Sequence, residues 1–145
     1  MRNKTILLVE DNRDDVALMK RALARNNFTS EVIVAYDGAE ALDYLFAKGA
    51  YAGRDTNLVP QVVLLDLKLP KLNGWEVLSR LRRDERTKLL PVVILSMSNE
   101  EQDLRRCYRL GANSYIRKPV DFIRFNDVIR QLGRYWLFLN ETPAG

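Results

Sequence analysis

The chain contains no histidine and a single cysteine, Cys107, and each shortage excludes a class of chemistry. One cysteine cannot form a disulfide within the chain. Without histidine, the sequence lacks the commonest metal ligand and the usual base of catalytic triads. Any bound metal is therefore expected to be a hard ion held by oxygen ligands.

Long apolar runs and glycine-rich phosphate loops are also missing. No stretch approaches the ~18 apolar residues of a membrane span, and the N-terminus lacks the pattern of a signal peptide. We therefore expect a cytoplasmic protein with no membrane partner. Neither a Walker motif nor a G-x-G-x-x-G pattern occurs, so a glycine-rich nucleotide-binding loop is not expected.

The composition favours one globular domain over residues 1–145, since 47% of the residues are hydrophobic and 29% are charged. The net charge is +4, with the excess of basic residues in the second half of the chain. Because acids are interspersed among these bases, the pattern indicates a solvated surface, and no nucleic-acid partner is expected. A basic, nucleic-acid-associated protein stays a remote alternative.

Apolar segments alternate with amphipathic helical segments along the whole chain. The predicted strands are residues 5–9, 31–36, 62–66, 91–97 and 114–118. Each is followed by a stretch with apolar residues at helical spacing. Strands that are apolar from end to end belong to parallel sheets covered on both faces. The predicted fold class is therefore α/β, a five-stranded doubly wound parallel sheet with helices on both faces.

Polar side chains stand where the predicted strands end: Glu10 and Asp11, Asp66, Ser96 and Lys118. In doubly wound sheets, ligands collect at the carboxyl ends of the strands, so these side chains are expected to meet. Clustered carboxylates repel one another and need a cation. Lys118 supplies one positive charge, and Mg²⁺ suits a site of carboxylates without histidine or thiolate. The carboxylate of Asp66 can itself accept a phosphoryl group.

Four stretches carry a family resemblance: "LLVEDN", "VVLLDLKLPKLNGWEVL", "VVILSMS" and "GANSYIRKPV". In this order and spacing the chain resembles the receiver domain of two-component response regulators, from residue 5 to about residue 132. The resemblance implies a flavodoxin-like receiver fold and a phosphoacceptor signalling protein rather than a turnover enzyme. Its phosphodonor would be a histidine on a separate sensor kinase, and Asp66 would be the acceptor.

The resemblance also implies roles for the other residues at the strand ends. Mg²⁺ would be held by Asp11, Asp66 and the backbone carbonyl of Lys68, with Glu10 reaching the ion through water. Ser96 would hydrogen-bond the phosphoryl oxygens and Lys118 would pair with them. Tyr115 matches the aromatic switch residue, which would swing inward when Ser96 is drawn toward the phosphoryl group. This chain has Glu-Asp where many members have Asp-Asp, and serine where threonine is frequent; both changes preserve the chemistry.

Other functions remain open at this point. Aspartate-nucleophile phosphatases also take a phosphoryl group onto an acid after a strand, in a D-x-D pattern whose second acid is the general acid. Here Lys68 stands at that second position, which argues against turnover of small phosphoesters. A phosphorylation-independent adaptor with a receiver fold is the main alternative. The long side chain of Lys68 is expected to affect the lifetime of the acyl phosphate.

The C-terminal segment reads as one extended helix over residues 121–140 with an apolar stripe. Its end includes five consecutive apolar residues, 135–139, more than one face can bury. Either this end folds back on its own core, or it forms a homodimer together with strand five. The predicted interface residues are Phe122, Phe125, Tyr135, Trp136 and Phe138. The tail resembles stand-alone regulators paired with bacterial phytochrome histidine kinases, which makes such a kinase a candidate partner.

Overall fold

A computed structural model describes residues 4–119 and 121–143, so both ends of the predicted domain 1–145 lie outside the described residues. Five parallel strands form one sheet in the order β2-β1-β3-β4-β5. The strands are β1 (Thr5–Val9), β2 (Glu31–Ala35), β3 (Val62–Leu65), β4 (Val92–Ser96) and β5 (Ser114–Arg117). The predicted doubly wound α/β sheet is confirmed.

A helix follows each strand, and polar side chains set where most of these helices begin. The helices are α1 (Arg13–Arg25), α2 (Gly38–Phe46), α3 (Gly74–Arg83), α4 (Glu101–Arg109) and α5 (Phe122–Gly133). Four of them begin after a capping residue whose side chain accepts a hydrogen bond from the backbone N–H three positions later: Asn12, Asp37, Asn73 and Asp121. Such caps satisfy N–H groups that have no partner within the helix.

The sheet buries one apolar layer on each face. Helices α1 and α5 cover the first face, where Met19, Leu23 and Ile129 pack against the side chains of β1 and β3. Helices α2, α3 and α4 cover the other, where Leu45, Leu78 and Cys107 are buried. Burial on both faces explains why the central strands are continuously apolar. Between these two layers, the carboxyl ends of the strands lie together at one edge of the sheet.

The C-terminal segment differs from the single helix expected over residues 121–140. Helix α5 ends at Gly133 and continues as a π-helical segment, Arg134–Leu139. A side chain at Gly133 would collide with the ring of Phe28, with Cβ only 2.2 Å from Cε2, so glycine permits this close approach. The change of pitch turns Leu137 into the core while Tyr135, Phe138 and Leu139 stay exposed.

In the part of the chain that the structure describes, no helix has both the length and the apolar character needed to cross a bilayer.

Candidate functional site

The candidate site lies at the carboxyl edge of the sheet, beside the point where the winding direction reverses. Strand β1 pairs with β2 on one side and with β3 on the other, so the loops after β1 and β3 lead to opposite faces. A crevice forms at such a point. Asp11 follows β1 and Asp66 follows β3, which places both carboxylates there.

Three carboxylates converge in this crevice. Glu10, Asp11 and Asp66 each offer an oxygen, and these oxygens all lie within 4.8 Å of one another. Glu10 is buried, Asp66 is half-buried and Asp11 is exposed, so the cluster opens to solvent on one side. An all-oxygen set of this size fits a hard divalent cation, which retains some of its water. The structure thus brings together three of the residues that the sequence analysis named for a metal site.

Lys118 extends from the end of β5 into the acidic cluster. Its ammonium donates to Glu10 Oε1, to Asp15 Oδ2 at 3.1 Å and to Asp66 Oδ2 at 3.4 Å. The side chain is only 6% exposed. Burial alone would disfavour the charge, but the ion pairs with the three acids outweigh it and raise the pKa of Lys118. The group is therefore a permanent cation.

The same environment favours the charged form of Lys118 but disfavours the charged form of Glu10. Burial, with the nearby charge of Asp66, outweighs the favourable contact with Lys118 and raises the pKa of Glu10 to about 7. Its second carboxylate oxygen accepts a hydrogen bond from the Asn12 backbone N–H at 3.2 Å. Glu10 is thus fixed on both sides and depends on the local cationic charge to ionise at neutral pH.

The loop after β3 holds Asp66 in place through backbone contacts. Asp66 Oδ1 accepts from the Leu67 N–H at 2.8 Å. The Leu67 carbonyl in turn accepts from Gly74 N at 2.8 Å, which closes the loop at the start of α3. A Cβ at Gly74 would lie 2.2 Å from the Asp66 carbonyl oxygen, so only glycine fits there. Lys68 lies in this loop with its side chain exposed.

Ser96, at the end of β4, lies between the strands that carry Asp66 and Lys118. It is buried, its backbone carbonyl accepts from Lys118 N at 2.8 Å, and its Oγ accepts from Ser98 N at 3.1 Å. Tyr115 of β5 is half-buried, and its hydroxyl donates to the Ser98 carbonyl at 3.0 Å. One residue, Ser98, therefore contacts both Ser96 and Tyr115.

Asp15 is a member of the cluster that the sequence analysis missed. It lies in the first turn of α1, four residues after Asp11, and its carboxylate contacts Lys118. The available signal was the acid-rich stretch "EDNRDD", in which an acid one turn into the helix can face the strand ends. An acid in a first helical turn is also common for other reasons, so the pattern alone did not single it out.

The five residues expected at a dimer interface do not share one environment. Tyr135 and Phe138 are exposed, while Phe122 and Trp136 are half-buried. Phe125 corrects the expectation: it is 6% exposed and belongs to the layer between α5 and the sheet. Its position on α5 faces inward because Ile129 and Leu132, one and two turns later, line the same stripe. Phe125 therefore supports the fold rather than an interface.

Comparison with known proteins gives one consistent result. A family model described as the response regulator receiver domain matches residues 6–130. The chain is 44% identical to the probable methanogenesis regulatory protein FilR2 of Methanothrix harundinacea, over 96% of this chain and 87% of the relative. It is 33% identical to the response regulator Rcp1 of Synechocystis sp., over 97% of this chain and 94% of that protein.

Solved structures give the same result. The phosphorylated cyanobacterial phytochrome response regulator RcpA is 38% identical and superposes with a TM-score of 0.90, over 98% of this chain and 99% of that one. The bacteriophytochrome response regulator AtBRR is 48% identical with a TM-score of 0.77, over 97% and 100%. The Mn²⁺-bound form of Rcp1 is 33% identical with a TM-score of 0.88, over 97% and 99%.

Proposed function

This chain belongs to the response regulator receiver family, and we propose that Asp66 is the residue on which it accepts a phosphoryl group. Receiver-domain response regulators are signalling proteins that take phosphoryl groups from histidine kinases. The observation that supports Asp66 is its half-buried carboxylate, which faces a cation on one side and two further acids on the other. Glu10 and Asp15 also contact Lys118, but the Glu10 side chain is only 4% exposed, and Asp15 is not one of the three clustered carboxylates.

The reaction needs little from the protein beyond position and charge. An oxygen of Asp66 attacks phosphorus, the phosphorus–nitrogen bond of the phosphohistidine breaks, and the departing imidazole nitrogen takes a proton. Lys118 stabilises the negative charge that arrives with the phosphoryl oxygens, because its ammonium is already beside Asp66 Oδ2. Ser96 adds a hydroxyl from the neighbouring strand. Hydrolysis of the acyl phosphate returns the site to its starting state.

Receiver domains bind a divalent metal at their acidic pocket, and we propose Mg²⁺ here. Asp11, Asp66 and the backbone carbonyl of Lys68 would hold the ion, and Glu10 would reach it through water. When bound, it would neutralise charge between the carboxylates and the phosphoryl oxygens. The three converging carboxylates support this assignment. The Mn²⁺-bound form of Rcp1 indicates that a relative binds a divalent ion.

We propose that Ser96 and Tyr115 convey the phosphorylation state to the surface around α4, β5 and α5. A change in the position of Ser96 must act on Ser98, whose N–H it accepts, and therefore on the carbonyl that holds the Tyr115 hydroxyl. Tyr115 lies at the edge of the sheet, so its movement alters an exposed face. Such a two-state element is what a switch requires.

The proposed phosphodonor is a sensor histidine kinase, and the likeness to RcpA and AtBRR favours a bacterial phytochrome of that class. A homodimer through β5 and the last helix would cover the apolar side chains of the π-helical segment. Tyr135, Phe138 and Leu139 are all about half exposed or more, and they support this surface. A cytoplasmic location and the absence of other enzymatic turnover stay predictions.

Acetyl phosphate with Mg²⁺, followed by intact-mass measurement, tests the function. We expect the wild-type chain to gain one phosphoryl group, and Asp66→Asn to gain none because an amide cannot form the acyl phosphate. Asp37→Asn, which removes the acid that caps α2 but keeps a side-chain oxygen to serve as the cap, should behave as wild type. An unmodified wild-type chain would favour the alternative, a receiver-fold adaptor that works without phosphorylation.

A further inference from the structure

Every N–H group of the Lys118 ammonium already faces a carboxylate. An ammonium has three donors. Here they are directed at Glu10 Oε1, Asp15 Oδ2 and Asp66 Oδ2. A phosphoryl oxygen on Asp66 can therefore receive a hydrogen bond from Lys118 only if one of the existing contacts is released.

We infer that Asp15 is a positioning residue that holds Lys118 in the unphosphorylated protein and competes with the phosphoryl group for its ammonium. The inference rests on the function proposed above and deepens it, because it concerns how the site responds to the phosphoryl group. Helix α1, which carries Asp15, would then directly affect how strongly the site binds the phosphoryl group.

The contact with Asp66 is the longest, at 3.4 Å, and belongs to the residue that carries the phosphoryl group. For the other two acids, exposure decides which contact can be released. The side chain of Glu10 is 4% exposed and is also held by the Asn12 N–H, so it has no route into water. The side chain of Asp15 is 34% exposed. Its carboxylate can rotate into solvent at little cost, since solvation replaces the ion pair. Asp15 is therefore the partner that Lys118 can exchange for a phosphoryl oxygen.

A purely helical role for Asp15 does not account for its contacts. An acid at the third position of a helix commonly reaches back to the backbone N–H of the N-cap residue. The N-cap residue here is Asn12, and its N–H donates to Glu10 instead. The Asp15 carboxylate is directed at Lys118. The favourable effect of negative charge on the start of α1 is shared by Asp14, which is exposed.

Charge gives the direction of the effect. Asp15 and Asp66 contact the same ammonium, so a phosphoryl group on Asp66 brings its charge within a few ångströms of the Asp15 carboxylate. Two charges about 6 Å apart repel enough, even at the dielectric of water, to change a binding constant about threefold. Removing the charge of Asp15 should therefore tighten the binding of phosphoryl-like anions and release a donor for them.

The test is calorimetric titration of beryllofluoride, an analogue of the phosphoryl group, in the presence of Mg²⁺. We expect Asp15→Asn to lower the apparent Kd at least about threefold relative to wild type. Asp14→Asn removes an equal charge from the neighbouring residue, which is exposed, and should leave the Kd within about twofold of the wild-type value. Asp15→Glu, which keeps the charge on a longer side chain, should move the Kd back toward the wild-type value.

Salt separates a direct contact from a general change of charge. The difference between Asp15→Asn and wild type should persist in 0.5 M KCl (roughly a 4 Å Debye length), since a partly buried contact is poorly screened. A second variant, Asp15→Ala, guards against an effect peculiar to the amide, and thermal unfolding checks that each variant is folded. Equal affinities in Asp15→Asn and Asp14→Asn, or weaker binding in Asp15→Asn, would overturn the inference. Wild-type protein that binds no beryllofluoride would overturn the proposed function itself.

Discussion

Lys118 Nζ lies 3.4 Å from Asp66 Oδ2, although the two residues are 52 positions apart and follow different strands. The contact exists because β3 and β5 flank β4 in a parallel sheet, so their carboxyl ends share one edge. It places a permanent positive charge beside the proposed phosphoacceptor before any phosphoryl group arrives. Preorganised charge of this kind lowers the cost of receiving an anion.

Glu10→Gln should flatten the pH dependence of stability in the metal-free protein. Burial raises the pKa of Glu10 from 4.5 to about 7, so the folded state keeps a proton that the unfolded state releases. The stabilisation from Glu10 is therefore complete below pH 4.5 and is lost as the pH rises to about 7. Glutamine does not titrate, so this decline should be missing from urea unfolding curves measured between pH 4.5 and 7.5.

Glu101→Gln is the matched control, because Glu101 is an exposed glutamate on α4. Its unfolding curves should follow those of wild type at every pH. Mg²⁺ should stabilise wild-type protein more at pH 7 than at pH 5, since the metal and the proton compete for carboxylates. Parallel stability profiles for wild type and Glu10→Gln would contradict the account of Glu10.

Gly74→Ala should damage both the fold and the site. The added methyl would meet the Asp66 carbonyl, and overpacking of this kind typically costs ~1–3 kcal/mol of stability. Movement of that carbonyl shifts the loop that carries Asp66, so phosphorylation by acetyl phosphate should slow. Asn73→Ala removes the cap of the same helix and costs about 1 kcal/mol, yet it leaves the contact with Asp66 intact. Equal phosphorylation rates in the two variants would contradict this role for Gly74.

Lys68→Ala should change the half-life of the phosphorylated protein by at least about twofold, through a barrier change of about 0.4 kcal/mol or more. The side chain lies two residues after Asp66 in an exposed loop, where it can affect the approach of water to the acyl phosphate. Lys71→Ala is the control, because Lys71 lies in the same loop and pairs with Asp37 at 3.5 Å. Dephosphorylation followed by intact mass measures both. An unchanged half-life in Lys68→Ala would rule the prediction out.

Leu139→Glu should dissociate the proposed homodimer. Leu139 is 71% exposed at the end of the π-helical segment, so a charge there should oppose burial against a second protomer without disturbing the core. Leu89→Glu is a matched control, because Leu89 is 66% exposed and lies before β4, outside β5 and the last helix. Sedimentation velocity should show a dimer for wild type and Leu89→Glu and a monomer for Leu139→Glu. A monomer in all three would end the dimer hypothesis.

The sheet and most of its acidic edge could be predicted from the sequence because strand ends of a parallel sheet must meet. Glu10, Asp66 and Lys118 each follow a strand and Ser96 ends one, and the parallel order of the strands brings all four to one edge. Short runs that are apolar from end to end were enough for these positions, since such runs are typical of buried parallel strands. The same reasoning does not reach side chains that approach from a helix.

Asp15 and the C-terminal segment show where sequence reasoning stopped. The contact of Asp15 depends on the orientation of α1 against β5, which no local pattern specifies. The apolar spacing after Gly133 suits a continuing α-helix, but after Gly133, which packs closely against Phe28, the chain forms a π-helical segment. The sequence predicts Phe125 at an interface together with the apolar residues at the end of this segment, whereas the sheet already covers it. In each case tertiary packing, rather than local propensity, decides the result.

The position of the phosphoryl group tests the central claim most directly. Protein phosphorylated by acetyl phosphate in Mg²⁺ can be digested and mapped by mass spectrometry, with a parallel sample treated with hydroxylamine, which cleaves acyl phosphates. We predict that the group lies on the peptide containing Asp66 and that hydroxylamine removes it. A hydroxylamine-stable phosphate on Ser96, or a group on any carboxylate other than Asp66, would contradict the account.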